Sequence, residues 1–350
     1  VATETLRRHH QNQRRHELRR LSMSAFTADP YEALRPLMNR YGATCSPREF
    51  YWAVNQAYEA VEAHQQEELA MFVGLEPIWD FLLGQAAGHS NPKLRVLEVG
   101  AGSGLIAGFV EMHLADRVTA MTLLAPCEAT LDQCRRRADL LSFPCDFRHG
   151  DLLELGSQEQ FDVIAVNSVL QRAADLPAFF ARVSTLLSPR GWLLTAHDPR
   201  WLAESDEQLK ARHRTWQKRH RQLGREIWAR CGQAWQRLTG RPGLSPLALG
   251  TSHHLLQQRT IREPMSMASI HAVTEFHVPG RLDGRRALAV GAMKEWLPGF
   301  TLVEVRSYQF YGVPWTALDR EEQGREAQWW RQRDTHGEFF ASAWRRDLQP

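Results

Sequence analysis

The sequence predicts an α/β fold built on a mostly parallel sheet. Three observations carry that expectation. From Leu94 onward, short apolar runs alternate with amphipathic stretches of helical length, which is the rhythm of βαβ units. The runs are near-continuously apolar, as expected of strands buried on both faces. The first run ends in a glycine-rich turn, Gly100-Ala101-Gly102-Ser103-Gly104. A turn of this kind lets a ligand approach the backbone at the start of a helix.

The elements are expected in the following order. Residues 1–22 hold six arginines and three histidines among few apolar groups and read as a solvated helix. Residues 29–85 read as helical, with starts at Asp29-Pro30 and at Ser46-Pro47, where Glu49 completes a capping pattern. Tyr51, Val54, Tyr58 and Val61 recur at helical spacing in a stretch, Arg48 to Phe72, without Gly or Pro. Glu76-Pro77 is expected to interrupt, with a short helix, Ile78 to Leu83, after it. The Gly, Ala, Ser and Asn of Gly84–Pro92 mark a boundary loop.

Five strands follow: 94–99 (LRVLEV), 117–124 (RVTAMTLL), 145–150 (CDFRHG), 161–168 (FDVIAVNS) and 192–197 (WLLTAH). The helices between them are Leu105 to Leu114, Glu128 to Leu141, and Leu176 to Leu187, the last stopped by Ser188-Pro189 and Gly191. Residues 201–240 read as one long helix with a stripe of Trp216, His220, Leu223, Ile227, Cys231, Trp235 and Leu238. Residues 241–282 read as irregular. A helix (Arg285 to Leu297), a strand (300–310), a charged helix (Ala317 to Arg333) and a last strand (338–346) complete the chain.

Composition excludes several classes. Of the 350 residues, 43% are apolar and 24% charged, which is enough apolar material for a packed core and excludes wholesale disorder. No run of 18 apolar residues exists, so no membrane span is expected, and no charged-then-apolar signal opens the chain. The five cysteines are an odd number and form no C-x-x-C, which argues against a disulfide framework and a zinc site and suits a reducing cytoplasm. His253-His254, His271 and His277 lack a carboxylate or cysteine at ligand spacing, so no metal is expected. Net charge is +3, yet residues 210–230 hold eight Lys and Arg against Glu226 alone, with Trp216 and Trp228 interleaved.

Glu98 stands two residues before Gly100, so the turn reads Glu98-x-Gly100-x-Gly102-x-Gly104. This resembles the first motif of the class I S-adenosylmethionine (SAM)-dependent methyltransferases. His149-Gly150-Asp151, the run ending at Asn167, the turn Leu297-Pro298-Gly299-Phe300 and the last strand are similar to later motifs in the same order. The resemblance implies a seven-stranded Rossmann-like methyltransferase sheet with its last strand antiparallel. It divides the chain into a helical N-terminal cap (1–92), a SAM-binding core (93–198), a helical lid insertion after the fifth strand (199–282) and the remainder of the core (283–350). It also implies that Glu98, Gly100, Gly102, Ser103 and Gly104 hold the amino acid end of SAM, with Asp151 and Leu152 at the adenine and Asn167 at the sheet edge. One position departs from the family. Its second strand usually ends in an acid that binds the ribose hydroxyls, but Leu123 or Leu124 stands there. Unpaired hydroxyls would cost about 1–3 kcal/mol each, so a neighbour such as Thr122 or Glu128 is expected to replace the acid.

Cap and lid together suit a small-molecule acceptor shielded from water. The candidate catalytic groups are Asn167, His197, Tyr58 and Tyr31, with Asp198 and Tyr51 beside them. Two reactions stay open: methyl transfer to an O, N or C nucleophile in secondary metabolism, and cyclisation of SAM itself to azetidine-2-carboxylate with release of methylthioadenosine. SAM is thus a co-substrate or the sole substrate. A third reading, from the basic helix, is an RNA-binding or regulatory protein on this fold; it ranks below a small-molecule partner because Trp216 falls on the apolar stripe. No membrane partner is expected, and the sequence sets no oligomeric state.

Overall fold

The computed structural model describes residues 29–62, 68–88, 91–156, 158–200, 203, 206–220, 246–275 and 290–348. The basic N-terminal stretch, the stripe beyond His220, Trp228 and His277 lie outside them. A sheet of seven strands organises the fold: β1 (Leu94–Val99), β2 (Val118–Ala125), β3 (Cys145–His149), β4 (Phe161–Asn167), β5 (Leu187–Pro199), β6 (Phe300–Tyr308) and β7 (Phe339–Arg346). Their order is β3-β2-β1-β4-β5-β7-β6. The first five are parallel, and β7 runs antiparallel to both β5 and β6.

Helices cover both faces, which is why the central strands carry no polar side. On one face α3 (Glu68–Ala87) and α4 (Leu105–Leu114) bury Trp79, Leu82, Phe109 and Val110 against Val96, Val163 and Leu194. On the other, α6 (Leu176–Leu186) and α10 (Val290–Trp296) bury Phe180, Val183 and Met293 against Leu97, Ile164 and Leu193. The remaining sheet helices are α5 (Glu128–Ala138) after β2 and α11 (Arg320–Arg331) before β7.

A separate core forms above the sheet. The helices α1 (Arg35–Tyr41) and α2 (Pro47–Glu62) pack against α8 (Pro246–Gln257) and α9 (Met267–Thr274), joining Phe50, Val54, Leu255 and Ile270. The Tyr41 hydroxyl lies 2.8 Å from Ser269 Oγ and ties the two parts together. α7 (Glu207–Arg219) packs elsewhere, burying Trp216 against Tyr311, Val313 and Leu318.

Several elements differ from the sequence reading. Pro77 does not break α3, which runs through it. A helix-interior proline costs about 3 kcal/mol, but burying each large side chain contributes roughly 1.5–3 kcal/mol. Leu75, Ile78, Trp79, Leu82 and Leu83 are all buried on this helix, so packing wins. Residues 241–282 are not irregular throughout, because α8 and α9 lie there, α9 capped by the Ser266 side chain on Ser269 N. The long helix expected from 201 starts only at Glu207, where Asp206 accepts from the N–H groups of Gln208 and Leu209. Ser188-Pro189 lies inside β5 rather than before it, at an irregularity where Arg190 takes a left-handed φ of 63°.

Among the described residues, no helix is long and apolar enough to cross a membrane.

Candidate active site

Strand order reverses between β1 and β4, since successive strands run outward from this pair in opposite directions. A switch point of this kind leaves a crevice beyond the carboxyl ends of the strands. A cavity of about 370 Å³ opens there.

The turn after β1 forms its floor, and the three glycines have different tasks. Gly100 has φ +69°, and a Cβ on it would lie 2.4 Å from Val169 Cγ2. Gly104 has φ +76°, and a Cβ on it would lie 3.3 Å from Cys134 Sγ. Gly102 has φ +52° but open space, its added Cβ meeting only Gly100 O at 3.9 Å. Gly100 and Gly102 line the cavity with Ser103, whereas Gly104 lies behind the wall as the N-cap of α4.

Glu98 is buried in this wall. The backbone N–H groups of Ile106 and Ala107 donate to its carboxylate, yet burial still pushes its pKa up to about 8. Its Oε2 has no hydrogen-bond partner. A cationic ligand group would satisfy that oxygen and hold the carboxyl ionised.

The ends of β2 and β3 form the next wall. Leu124 and Pro126 line it, while Thr122 and Leu123 are buried below the sheet edge and do not. The two expected replacements for the acid do not reach the cavity: Thr122 is buried, and Glu128 turns to Arg135 at 2.7 Å. Asp151 and Leu152 do line the cavity. Asp151 caps the short 3-10 turn Leu152–Glu154 by accepting from Leu153 N, and burial raises its carboxyl.

At the end of β4, Asn167 lines the cavity and accepts from Trp79 Nε1 at 3.2 Å. Ser168 follows with φ 59° and donates its N–H to Ala196 O at 2.8 Å. At the end of β5, register shifts between Ala196 and Asp198, so His197 is an extra residue in the pairing with β7. Such a bulge re-aims a side chain. His197 has φ 63°, its ring stacks 4.2 Å from Phe339 at 8°, and Nδ1 lies 3.3 Å from the Tyr308 hydroxyl. Burial first, then the Arg172 charge, lowers its pKa to about 4. The imidazole is neutral and too weak a base to deprotonate an ordinary hydroxyl or ammonium beforehand. Asp198 points into the turn after β4, accepting from Gln171 N at 2.9 Å, and burial raises it to about 7. It positions that turn and does not line the cavity.

The cap closes the space from above with Tyr31, Tyr51, Trp52, Asn55 and Glu59. Tyr31 and Tyr51 have ring centroids 5.2 Å apart. Burial, then Asp151, pushes the Tyr31 hydroxyl up to about 12, so it stays protonated. Tyr51 donates its hydroxyl to Arg172 O, and Arg172 Nη1 pairs with Glu59 at 3.2 Å. Tyr58, about two turns from Tyr51, is turned out of the cavity: it lies under Arg172 at 5.7 Å and against His271 at 6.1 Å.

The structure thus brings Glu98, Gly100, Gly102, Ser103, Asp151, Leu152, Asn167, His197 and Tyr31 to one cavity. It leaves Gly104, Thr122, Leu123 and Tyr58 outside it. Tyr51, expected beside the catalytic groups, also lines it, and Trp52, Asn55, Glu59 and Arg172 join the set. The helical spacing of Tyr51, Asn55 and Glu59 on α2 was the available signal, since residues four apart share a face.

Four of the five Lys and Arg in the described part of the basic helix have a carboxylate partner. Arg212 pairs with Asp334 at 2.6 Å and stacks 4.0 Å over Trp329; Arg219 pairs with Glu321 at 2.8 Å and Asp319 at 3.2 Å; Lys210 pairs with Glu207 at 2.9 Å. Among the described residues, His220, Asp319 and Glu322 are close enough to share a cation, and Arg219 already lies 3.2 Å from Asp319 and 3.8 Å from Glu322. His253 and His254 are exposed on α8.

Comparison with known proteins follows the same lines. Residues 97–195 match the family described as methyltransferase domain. A hybrid PKS-NRPS synthetase of Macrophomina phaseolina is 28% identical over 139 residues, 38% of this chain and 3% of the synthetase. A ubiquinone biosynthesis O-methyltransferase of Rhodopseudomonas palustris is 28% identical over 104 residues, 29% of this chain and 39% of that enzyme. The chain therefore spans less than half the length of these relatives. The N-methyltransferase NodS of Bradyrhizobium japonicum superposes with TM-score 0.38 and 15% identity, covering 78% of this chain and 97% of that one. Residues 97–195 thus carry a methyltransferase domain, which is under a third of the chain.

Proposed function

We propose that this chain is a SAM-dependent methyltransferase acting on a small-molecule acceptor. The observation that carries the reading is the cavity at the β1–β4 switch point, where the unpartnered Glu98 Oε2 and the open face of Gly102 share one wall. An ammonium beside an amide-lined turn and a stacked, largely apolar adenosine suit these groups. The similarity to a PKS-NRPS synthetase and to a ubiquinone O-methyltransferase supports a place in small-molecule metabolism.

Bound SAM supplies an activated methyl: the acceptor nucleophile takes the carbon, the C–S electron pair stays on sulfur, and the nucleophile's proton leaves to solvent. Everything else falls to the chain. Glu98 receives the ammonium. Asn167, its carbonyl held by Trp79, offers its NH₂ group to an acceptor atom. Asp151 and Leu152 face the adenine. Glu59 replaces the missing ribose acid. It lines the cavity from α2, and its charge acts on the Cys127 thiol just past the end of β2. Tyr31, Tyr51 and Trp52 exclude water and offer ring faces to a sulfonium.

Cyclisation of SAM remains the rival reaction, but it needs no acceptor space. A second cavity meets the first at His197, which supports transfer. Incubating the protein with SAM alone, then with SAM and cell extract, separates the two by mass spectrometry. S-adenosylhomocysteine appearing only with extract supports the reading. Methylthioadenosine from SAM alone overturns it.

A further inference from the structure

We propose that the second cavity is the acceptor site and that it takes an uncharged, largely apolar molecule carrying one hydrogen-bond donor. The inference builds on the proposed methyl transfer for the identity of the reaction, but the cavity and its chemistry stand by themselves.

The cavity measures about 370 Å³, within the range of small-molecule sites. It lies between α3, α11 and the loop after β6, at the same edge of the sheet as the first cavity. Its walls include Ile78, Phe310, Val313, Trp315 and Trp330. Two charged or polar side chains of the wall are already engaged. Glu326 accepts from Tyr311 N at 2.9 Å, and burial raises its carboxyl to about 7. The Tyr308 hydroxyl meets His197. An ion entering this space would be desolvated without a free counter-charge, which selects against charged ligands.

One group in the wall is unsatisfied. Gln309 Oε1 is buried and has no hydrogen-bond partner. A buried acceptor of this kind is costly unless something donates to it. A ligand O–H or N–H would do so. Backbone strain falls at the same place. Gln309 has φ 55° and His197 φ 63°, both in a region that non-glycine residues seldom adopt. Strain of this kind concentrates at ligand sites, where surrounding contacts hold it. His197 lines both cavities, so the neutral imidazole stands at their shared wall.

The probe set is 2-naphthol, its methyl ether and 2-naphthoate, titrated calorimetrically into the full chain with and without S-adenosylhomocysteine. Naphthol is expected to bind, its ether about tenfold more weakly, and the anion not measurably. Ala327→Phe, on a helix surface that faces the cavity, is expected to abolish naphthol binding and leave S-adenosylhomocysteine binding unchanged. Gln309→Met is expected to erase the preference for naphthol over its ether. Naphthol binding that survives Ala327→Phe, equal binding of the anion, or no naphthol binding beside normal S-adenosylhomocysteine binding overturns the proposal. Naphthol binding without S-adenosylhomocysteine binding would instead overturn the SAM reading and spare the cavity.

Discussion

Trp79 Nε1 donates to Asn167 Oδ1 across 3.2 Å, from the middle of α3 to the carboxyl end of β4. An indole N–H can only donate, so this bond fixes which way the Asn167 amide faces. The carbonyl turns to the helix and the NH₂ group is left for the cavity. Asn167 is therefore built to hold an acceptor, such as a carboxylate or carbonyl oxygen, and not to receive an amine. Trp79→Phe removes this donor and opens space in a fully buried site, so it should lower the melting temperature and also weaken SAM binding about 3- to 10-fold, the scale of one neutral hydrogen bond. An unchanged dissociation constant, measured by calorimetry, would separate Asn167 from the ligand.

The turn glycines give paired outcomes. Gly100→Ala adds a methyl 2.4 Å from Val169 at φ +69°, so it should destabilise the fold by about 1–3 kcal/mol and be visible in thermal melts. Gly102→Ala meets no protein atom closer than 3.9 Å. Its cost to folding should stay near 1 kcal/mol, while its methyl occupies ligand space. Loss of SAM binding with a near-native melt is the expected signature.

In the proposed reading Glu59 stands for the ribose acid that β2 lacks. Glu59→Gln should weaken S-adenosylhomocysteine binding about tenfold, a loss of roughly 1.4 kcal/mol. It should also reduce the discrimination against a 2′-deoxyribose analogue. The decisive quantity is the ratio of the two dissociation constants in each protein. If it is equal in wild type and variant, Glu59 does not touch the sugar.

Three buried carboxyls set a stability profile. In the fold, Glu98 is pushed up to about 8, and Asp198 and Glu326 to about 7, each chiefly by burial. An unfolded carboxyl releases its proton near pH 4. Between about pH 4 and 8 the folded state thus binds more protons than the unfolded state, so stability falls as pH rises through this window. Melting temperature of the ligand-free protein should decline from pH 5.5 to pH 8.5. Asp198→Ala leaves the Gln171 N–H without its buried acceptor and should cost about 1–3 kcal/mol, with part of the pH slope lost.

Much of this was legible in the sequence. The strands of the sheet declared themselves because near-continuous apolar runs have few other places to go. The Glu98 and glycine pattern marked the cavity floor because the backbone there needs residues that adopt positive φ. Other features depend on tertiary contacts that no local pattern carries. Helix α3 runs through Pro77 because Trp79 and its neighbours are buried, which outweighs the local penalty. α8 and α9 form because α2 covers them. Thr122 shares a strand face with Leu124 but lies two residues further from the end of β2, and that depth puts Leu124 at the cavity and Thr122 in the interior. Glu59 was missed because it comes from a helix far away in sequence.

The most direct test of the central claim is a calorimetric titration of S-adenosylhomocysteine into wild type and Glu98→Gln at several pH values. With the free carboxyl at about 8, binding an ammonium must expel a proton. Wild-type affinity should therefore climb with pH toward about 8, by up to tenfold per unit, and buffers of different ionisation enthalpy should reveal proton release. Glu98→Gln should bind at least tenfold more weakly and lose that climb. Absence of binding to the wild type, or equal affinity and equal pH dependence in the variant, would contradict the account.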